Sequence, residues 1–176
     1  NIAHSYHSLR DGTNWAPVYY DWDRCGIELK DRALGLVGFG HIGEELARML
    51  GSFGFSRIMA FDPFRRPEEL RGLGVEPAAF ETILAEADIV SLHARLTSDN
   101  RGMLGAAQFA AMRRKPIIVN TARGGLLDYA ALIAALKDGR VSGAVLDVFG
   151  DEPFGAFREL LASPSRGGRR RSGRWW

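Results

Sequence analysis

The sequence predicts an α/β protein built on a single doubly wound parallel sheet, and three observations carry that expectation. Short apolar-rich runs recur at residues 33–37, 57–61, 88–93, 117–120 and 143–148, the length of buried strands rather than of helices. Stretches with apolar residues at helical spacing separate them, and strands that alternate with helices imply crossovers and a parallel sheet. A glycine-rich turn joins the first strand to the first helix. With 176 residues, 46% of them hydrophobic and 25% charged, the chain can bury one real core as a single domain.

The opening residues prepare this unit. Residues 1–10 read as the end of a helix, with Ile2, Tyr6 and Leu9 on one face. Gly12, Asn14 and Pro17 break it, and the aromatics Trp15, Tyr19, Tyr20 and Trp22 suit a loop packed over a neighbouring surface. About the first 30 residues therefore form a linker helix and loop.

The most informative segment follows. Strand 33–37 leads into Gly38-Phe39-Gly40-His41-Ile42-Gly43, a GxGxxG, and then into a helix carrying Ile42, Leu46, Met49 and Leu50. A second strand, 57–61, ends on Asp62, 19 residues past Gly43. The three glycines serve separate purposes. The first permits the sharp turn, the second lets backbone approach a pyrophosphate, and the third lets the helix pack closely on the sheet. The helix N-terminus offers unpaired N–H groups and partial positive charge to a phosphate. Asp62 would accept hydrogen bonds from ribose hydroxyls and repel a 2′-phosphate, which favours NAD over NADP. Arg65 and Arg66, just beyond it, could offset part of that repulsion. A GxGxxG alone is also a generic glycine turn; the strand, helix, second strand and acid in register make this one a Rossmann-type dinucleotide motif.

The remaining elements follow in order. Residues 67–73 read as a short helix, Val75 as a brief strand, and 80–87 as a helix burying Ile83 and Leu84. Strand 88–93 comes next, then a helix at 108–112 and the buried strand 117–120. Asp128 is placed to cap a helix over 129–138 with Leu132, Ile133 and Leu136 inward, and Gly139 to end it. Strand 143–148 is the last clear element.

Composition narrows the function classes. No apolar run reaches the ~18 residues of a membrane span, so no membrane role is expected. The only cysteine, Cys25, excludes an internal disulfide and a cysteine-based zinc cluster, in keeping with a cytoplasmic protein, and no metal site is predicted. The net charge of +2 hides an asymmetry, because residues 154–176 carry six arginines and one glutamate while residues 1–153 are slightly acidic. That basic tail, rich in Ser, Gly and Arg, cannot bury enough surface to fold alone and is expected to be unstructured. Nucleic-acid binding would have to rest on Arg166, Arg169, Arg170, Arg171 and Arg174 alone, and is not the expected role.

Four motifs give the chain its family resemblance. Leu36-Val37-Gly38-Phe39-Gly40-His41-Ile42-Gly43, Ser91-Leu92-His93, Val119-Asn120-Thr121-Ala122-Arg123-Gly124, and Leu146-Asp147-Val148-Phe149 with Glu152-Pro153 occur in this order. In these the chain resembles the NAD-binding domain of D-isomer-specific 2-hydroxyacid dehydrogenases of the phosphoglycerate dehydrogenase-like kind, over residues 1–153. The resemblance implies an oxidoreductase that interconverts a 2-hydroxy acid and a 2-keto acid with NAD, and a homodimer paired through this domain. It places His41 and Ile42 at the pyrophosphate, Asp62 at the ribose, and His93 and Thr97 on the adenosine side. Thr121 and Ala122 match residues lining the nicotinamide half, and Asp147 the acid that holds the carboxamide. Arg123 matches the arginine that grips the substrate carboxylate, where two parallel guanidinium donors fix one orientation. Glu152 matches the acid that orients a catalytic histidine and raises its basicity. On residue type alone, Arg123 could be a salt-bridge partner and Glu152 a surface acid.

The chain departs from the pattern in three places. The catalytic histidine should follow Glu152, yet the four histidines, His4, His7, His41 and His93, all precede it. The resemblance also implies a substrate domain built from residues ahead of the cofactor domain, which residues 1–176 are not expected to contain. Arg95 stands where the family usually has proline, which exchanges a rigid turn residue for a mobile cation. These departures predict a fragment that binds NAD weakly and turns over little or nothing by itself. The rival expectation is a non-catalytic module in which NAD orders a surface for a protein partner.

Overall fold

The computed structural model describes residues 28–150. The expected helix and aromatic loop before residue 28, together with Cys25, Glu152 and the tail at 154–176, lie outside the described residues.

Among the described residues six strands and five α-helices alternate: β1 Ala33–Val37, α1 His41–Leu50, β2 Arg57–Phe61, α2 Pro67–Gly72, β3 Glu76–Pro77, α3 Phe80–Glu86, β4 Ile89–Leu92, α4 Ala106–Ala111, β5 Ile117–Asn120, α5 Tyr129–Lys137 and β6 Gly143–Leu146. All strand pairs are parallel, in the spatial order β3-β2-β1-β4-β5-β6. The order reverses between β1 and β4, the place where an open α/β sheet leaves a crevice at its carboxyl edge.

Side chains alternate across a strand, and the core divides accordingly. Ala33, Val37, Met59, Val90, Leu92 and Ile118 join Ile83, Phe109 and Leu132 from α3, α4 and α5. Leu34, Leu36, Ala60 and Ile89 join Ala47 and Leu70 from α1 and α2. Helices thus cover both faces, as a doubly wound sheet requires.

The expected boundaries shift by small amounts. The strand expected at 88–93 spans only Ile89–Leu92, and just before it the Asp88 carboxylate accepts the Ala33 N–H at 2.9 Å. The strand expected at 143–148 ends at Leu146, although the Asp147 N–H still donates to the Asn120 carbonyl at 3.0 Å. The helix expected at 108–112 begins at Ala106 and stops before Met112, whose backbone is extended. Val75 is buried but precedes the two-residue strand β3. Asp128 caps α5 as expected, its carboxylate accepting the Ala131 N–H at 3.1 Å.

The apolar face of α1 needs correction. Gly43, Leu46, Ala47 and Leu50 form the stripe that packs on the sheet, whereas Ile42 is 70% and Met49 56% exposed. Positions 43, 46, 47 and 50 repeat as i, i+3, i+4 and i+7, and the smallest of them, Gly43 and Ala47, are the buried ones. Ile42 and Met49 lie on the flank of that stripe.

Candidate functional site

Four strand pairings bring five strand ends into one row. Val37 pairs with Phe61 on one side and Leu92 on the other; Leu92 pairs with Asn120, and Asn120 with Leu146. The residue after each of these ends is a site candidate: Asp62, Gly38, His93, Thr121 and Asp147. At about 4.8 Å per strand the row runs about 19 Å along the carboxyl edge.

The glycine turn forms its centre. Gly38 has φ +88°, and a Cβ there would lie 2.7 Å from the Ala94 Cα and the His93 carbonyl carbon, so only glycine fits. At Gly43 a Cβ would lie 2.9 Å from the Gly38 carbonyl oxygen, which fixes how closely α1 approaches the turn. Gly40 differs, since nothing lies within 4 Å of the position its Cβ would take. The protein itself has no packing need for glycine there, and the bare backbone opens onto free space. No side chain caps the N-terminus of α1, where His41 and Ile42 begin the helix with exposed side chains. Its first N–H groups lack intrahelical acceptors. An uncapped helix tip behind an open glycine suits a diphosphate, so the residues present fit a dinucleotide.

Asp62 closes this turn from the next strand. Its Oδ2 accepts the Phe39 N–H at 2.7 Å and its Oδ1 the Phe64 N–H at 2.8 Å. A carboxylate has about four lone-pair sites, so each oxygen keeps room for a ribose hydroxyl. The two arginines that follow are both engaged: Arg65 donates to Glu44 at 3.2 Å and Arg66 to Glu69 at 2.9 Å.

On the other side of the turn, His93 is partly buried, and its Nε2 lies 2.8 Å from the Ser91 hydroxyl oxygen. Burial holds its imidazole below the ordinary histidine range, which favours the neutral ring. The Ser91 hydroxyl is buried on the same strand face two residues earlier, a pairing the sequence shows only as S-x-H. Thr97 is exposed, and its N–H donates to the Asn100 side-chain oxygen at 2.8 Å. Asn100 also donates to the Arg95 carbonyl at 2.8 Å. The loop that lacks proline at position 95 is therefore braced by Asn100. Among the described residues no hydrogen bond joins Thr97 to the glycine turn.

A second group gathers beyond β5. Asn120 is fully buried; its side-chain oxygen accepts the Ala122 N–H at 3.1 Å, and its amide donates to the Arg123 carbonyl at 3.0 Å. Its backbone carbonyl takes the Asp147 N–H, so one residue ties Thr121, Ala122 and Arg123 to Asp147. The sequence pattern treats Asn120 only as the end of a strand, although an Asn before a tight turn is a recognisable side-chain-to-backbone signal. Arg123 is exposed, donates to the Ala122 carbonyl at 2.7 Å, and has no carboxylate partner among the described residues. Gly124 presses on the backbone of Phe149 and Gly150, which brings the segment after β6 against this turn.

The structure thus makes two clusters on one edge: Gly38, Gly40, His41, Ile42, Gly43, Asp62 and His93, then Thr121, Ala122, Arg123 and Asp147. Among the described residues no helix is long and apolar enough to cross a membrane, and no group of three or more His, Cys, Asp or Glu could hold a metal ion.

Comparison with known proteins places this edge in context. The sequence profile of the family described as D-isomer specific 2-hydroxyacid dehydrogenase, NAD binding domain, matches residues 1–166, past the Pro153 limit of the motifs. Glyoxylate reductase of Thermococcus litoralis is 41% identical over 140 residues, covering 80% of this chain and 41% of that protein. D-3-phosphoglycerate dehydrogenase of Bacillus subtilis is 41% identical over 136 residues, covering 76% of this chain and 26% of that protein. The chain therefore spans less than half the length of these relatives. Among solved structures, D-lactate dehydrogenase with NAD+ from Lactobacillus jensenii superposes with a TM-score of 0.74 at 32% identity, covering 93% of this chain and 51% of that one. The chain belongs to the NAD-binding domain family of the D-isomer specific 2-hydroxyacid dehydrogenases.

Proposed function

We propose that this chain is the cofactor half of an enzyme that reversibly oxidises a small 2-hydroxy acid to the 2-keto acid. The observation that supports this best is the glycine turn, open at Gly40 and held by the Asp62 carboxylate. The diphosphate rests on the amides of His41 and Ile42 at the α1 tip, with Gly38 and Gly43 shaping the turn. Asp62 takes the adenosine ribose hydroxyls, with His93 and Thr97 flanking that end. Thr121 and Ala122 line the nicotinamide half, and Asp147 holds the carboxamide. When bound, NAD supplies the ring that accepts a hydride.

Arg123 carries the substrate contact in this reading. Its guanidinium grips the acid's carboxylate with two parallel donors and sets C2 beside the cofactor end of the row. Oxidation moves the C2 hydrogen away as hydride, and the hydroxyl proton passes to a base. In the family pattern that base is a histidine oriented by the acid that Glu152 matches. The working domain is residues 1–153, with 154–176 as an appended basic tail. Two copies pair through this domain, and the protein works in the cytoplasm; the family resemblance supports the first statement and the composition the second.

Calorimetric titration with NAD, beside a dehydrogenase assay on a panel of 2-hydroxy acids, tests the proposal. Saturable NAD binding that Arg123→Ala leaves intact, with 2-keto acid binding lost in that variant, is the expected result. No NAD binding at millimolar concentration overturns it.

A further inference from the structure

The ion pair between Glu44 and Arg65 joins the first turn of α1 to the turn that follows Asp62. Glu44 stands in the first turn of α1, one residue past Gly43, and Arg65 lies three residues past Asp62. The Arg65 N–H donates to the Asp62 carbonyl at 3.4 Å, so the guanidinium springs from the same turn that holds the ribose acid. Its Nη2 lies 3.2 Å from the Glu44 Oε2, with both side chains about a third exposed, 34% and 35%. Arg66, next in sequence, is turned to Glu69 on α2. Arg65 is thus tied by its backbone to Asp62 and by its guanidinium to Glu44.

We propose that Glu44 is a cofactor-selectivity residue that acts by engaging Arg65. This rests on the reading of the turn as an NAD site. A phosphate on the adenosine 2′ position would approach Asp62 and meet its negative charge. Arg65 is the cation in position to neutralise that phosphate, because guanidinium and phosphate pair through parallel charge-assisted hydrogen bonds. Glu44 competes for the same donors and adds a further negative charge beside the approach. Asp62 thus selects against the phosphate directly, and Glu44 withholds the group that would rescue it.

The test measures NAD and NADP dissociation constants for the unaltered chain, Glu44→Gln, Glu44→Ala, and the double variant Glu44→Gln/Arg65→Ala. Glutamine keeps helix propensity, and thermal unfolding checks each fold. Glu44→Gln is expected to tighten NADP about fivefold while NAD stays within about twofold, and Glu44→Ala to do the same. The double variant should lose the gain, and rising salt should erode it, as for any exposed charge contact. An NADP-to-NAD ratio unmoved in both single variants, or a gain that survives removal of Arg65, overturns the inference. NAD binding by the unaltered chain with an unmoved ratio defeats this proposal alone; absence of NAD binding defeats the NAD-site reading with it.

Discussion

The Asp62 carboxylate accepts the N–H of Phe39, a residue with no exposed surface in the middle of the glycine turn, at 2.7 Å. In the proposed reading, the acid assigned to the ribose also completes the turn assigned to the phosphates.

Asp62→Ala is therefore expected to damage the fold as well as the site. It leaves the buried Phe39 N–H without its acceptor, at a cost of about 1–3 kcal/mol, readable by urea denaturation. Asp62→Asn keeps an acceptor for Phe39 and is expected to unfold close to the parent while losing much of its preference for NAD over NADP. Equal stability of the alanine variant and the parent would remove the structural half of this assignment.

Gly38 and Gly40 are expected to separate stability from binding. Gly38→Ala forces a side chain into φ +88° and into the backbone of His93 and Ala94, which cannot yield. A loss of about 3 kcal/mol or more is expected. Gly40→Ala meets no protein atom within 4 Å, so its stability should stay within about 0.5 kcal/mol. Its NAD affinity should fall by about tenfold or more, because the new methyl group stands where the diphosphate approaches. Calorimetry with NAD and thermal unfolding, run on both variants, check the contrast.

Much of this site is readable from residue order because strands and glycines announce themselves locally. The run 33–37 and the GxGxxG after it define a turn whatever the rest of the chain does. Asn120 is harder to read, because its role depends on a neighbouring strand delivering Asp147, a contact between positions 27 residues apart. The exposure of Ile42 and Met49 has a similar origin. Helical spacing shows that apolar residues share a side, but the strands choose the small residues Gly43 and Ala47 as the side that packs.

Asn120→Ala is expected to cost about 1–3 kcal/mol, since it strips partners from the Ala122 N–H and the Arg123 carbonyl in a part-buried turn. In whatever fraction stays folded, NAD titration should weaken at the nicotinamide end while adenosine monophosphate binding is retained. Loss of both in parallel would mean that Asn120 supports the whole sheet edge rather than the one turn.

His93 gives the stability a pH dependence with a defined sign. Its folded pKa is depressed by burial, so between that value and the ordinary value near 6.5 the unfolded chain binds more protons. Its contribution is therefore intact above about pH 6.5 and is lost as pH falls through the folded pKa. Melting temperatures from pH 8 to pH 5 should drop more for the parent than for His93→Gln. Superimposable profiles would show that the imidazole binds its proton equally in the folded and unfolded chain, against a depressed folded pKa.

Five strands that stop on one row give the domain a division of labour along its sequence. The residues up to Phe61, Val37, Leu92, Asn120 and Leu146 build the platform, and the candidate site residues begin with the next residue on each. A loop can then be lengthened, shortened or exchanged after any one strand without disturbing the register of its neighbours. New cofactor or substrate preferences are open to the domain through single loops, while the sheet beneath them is inherited unchanged.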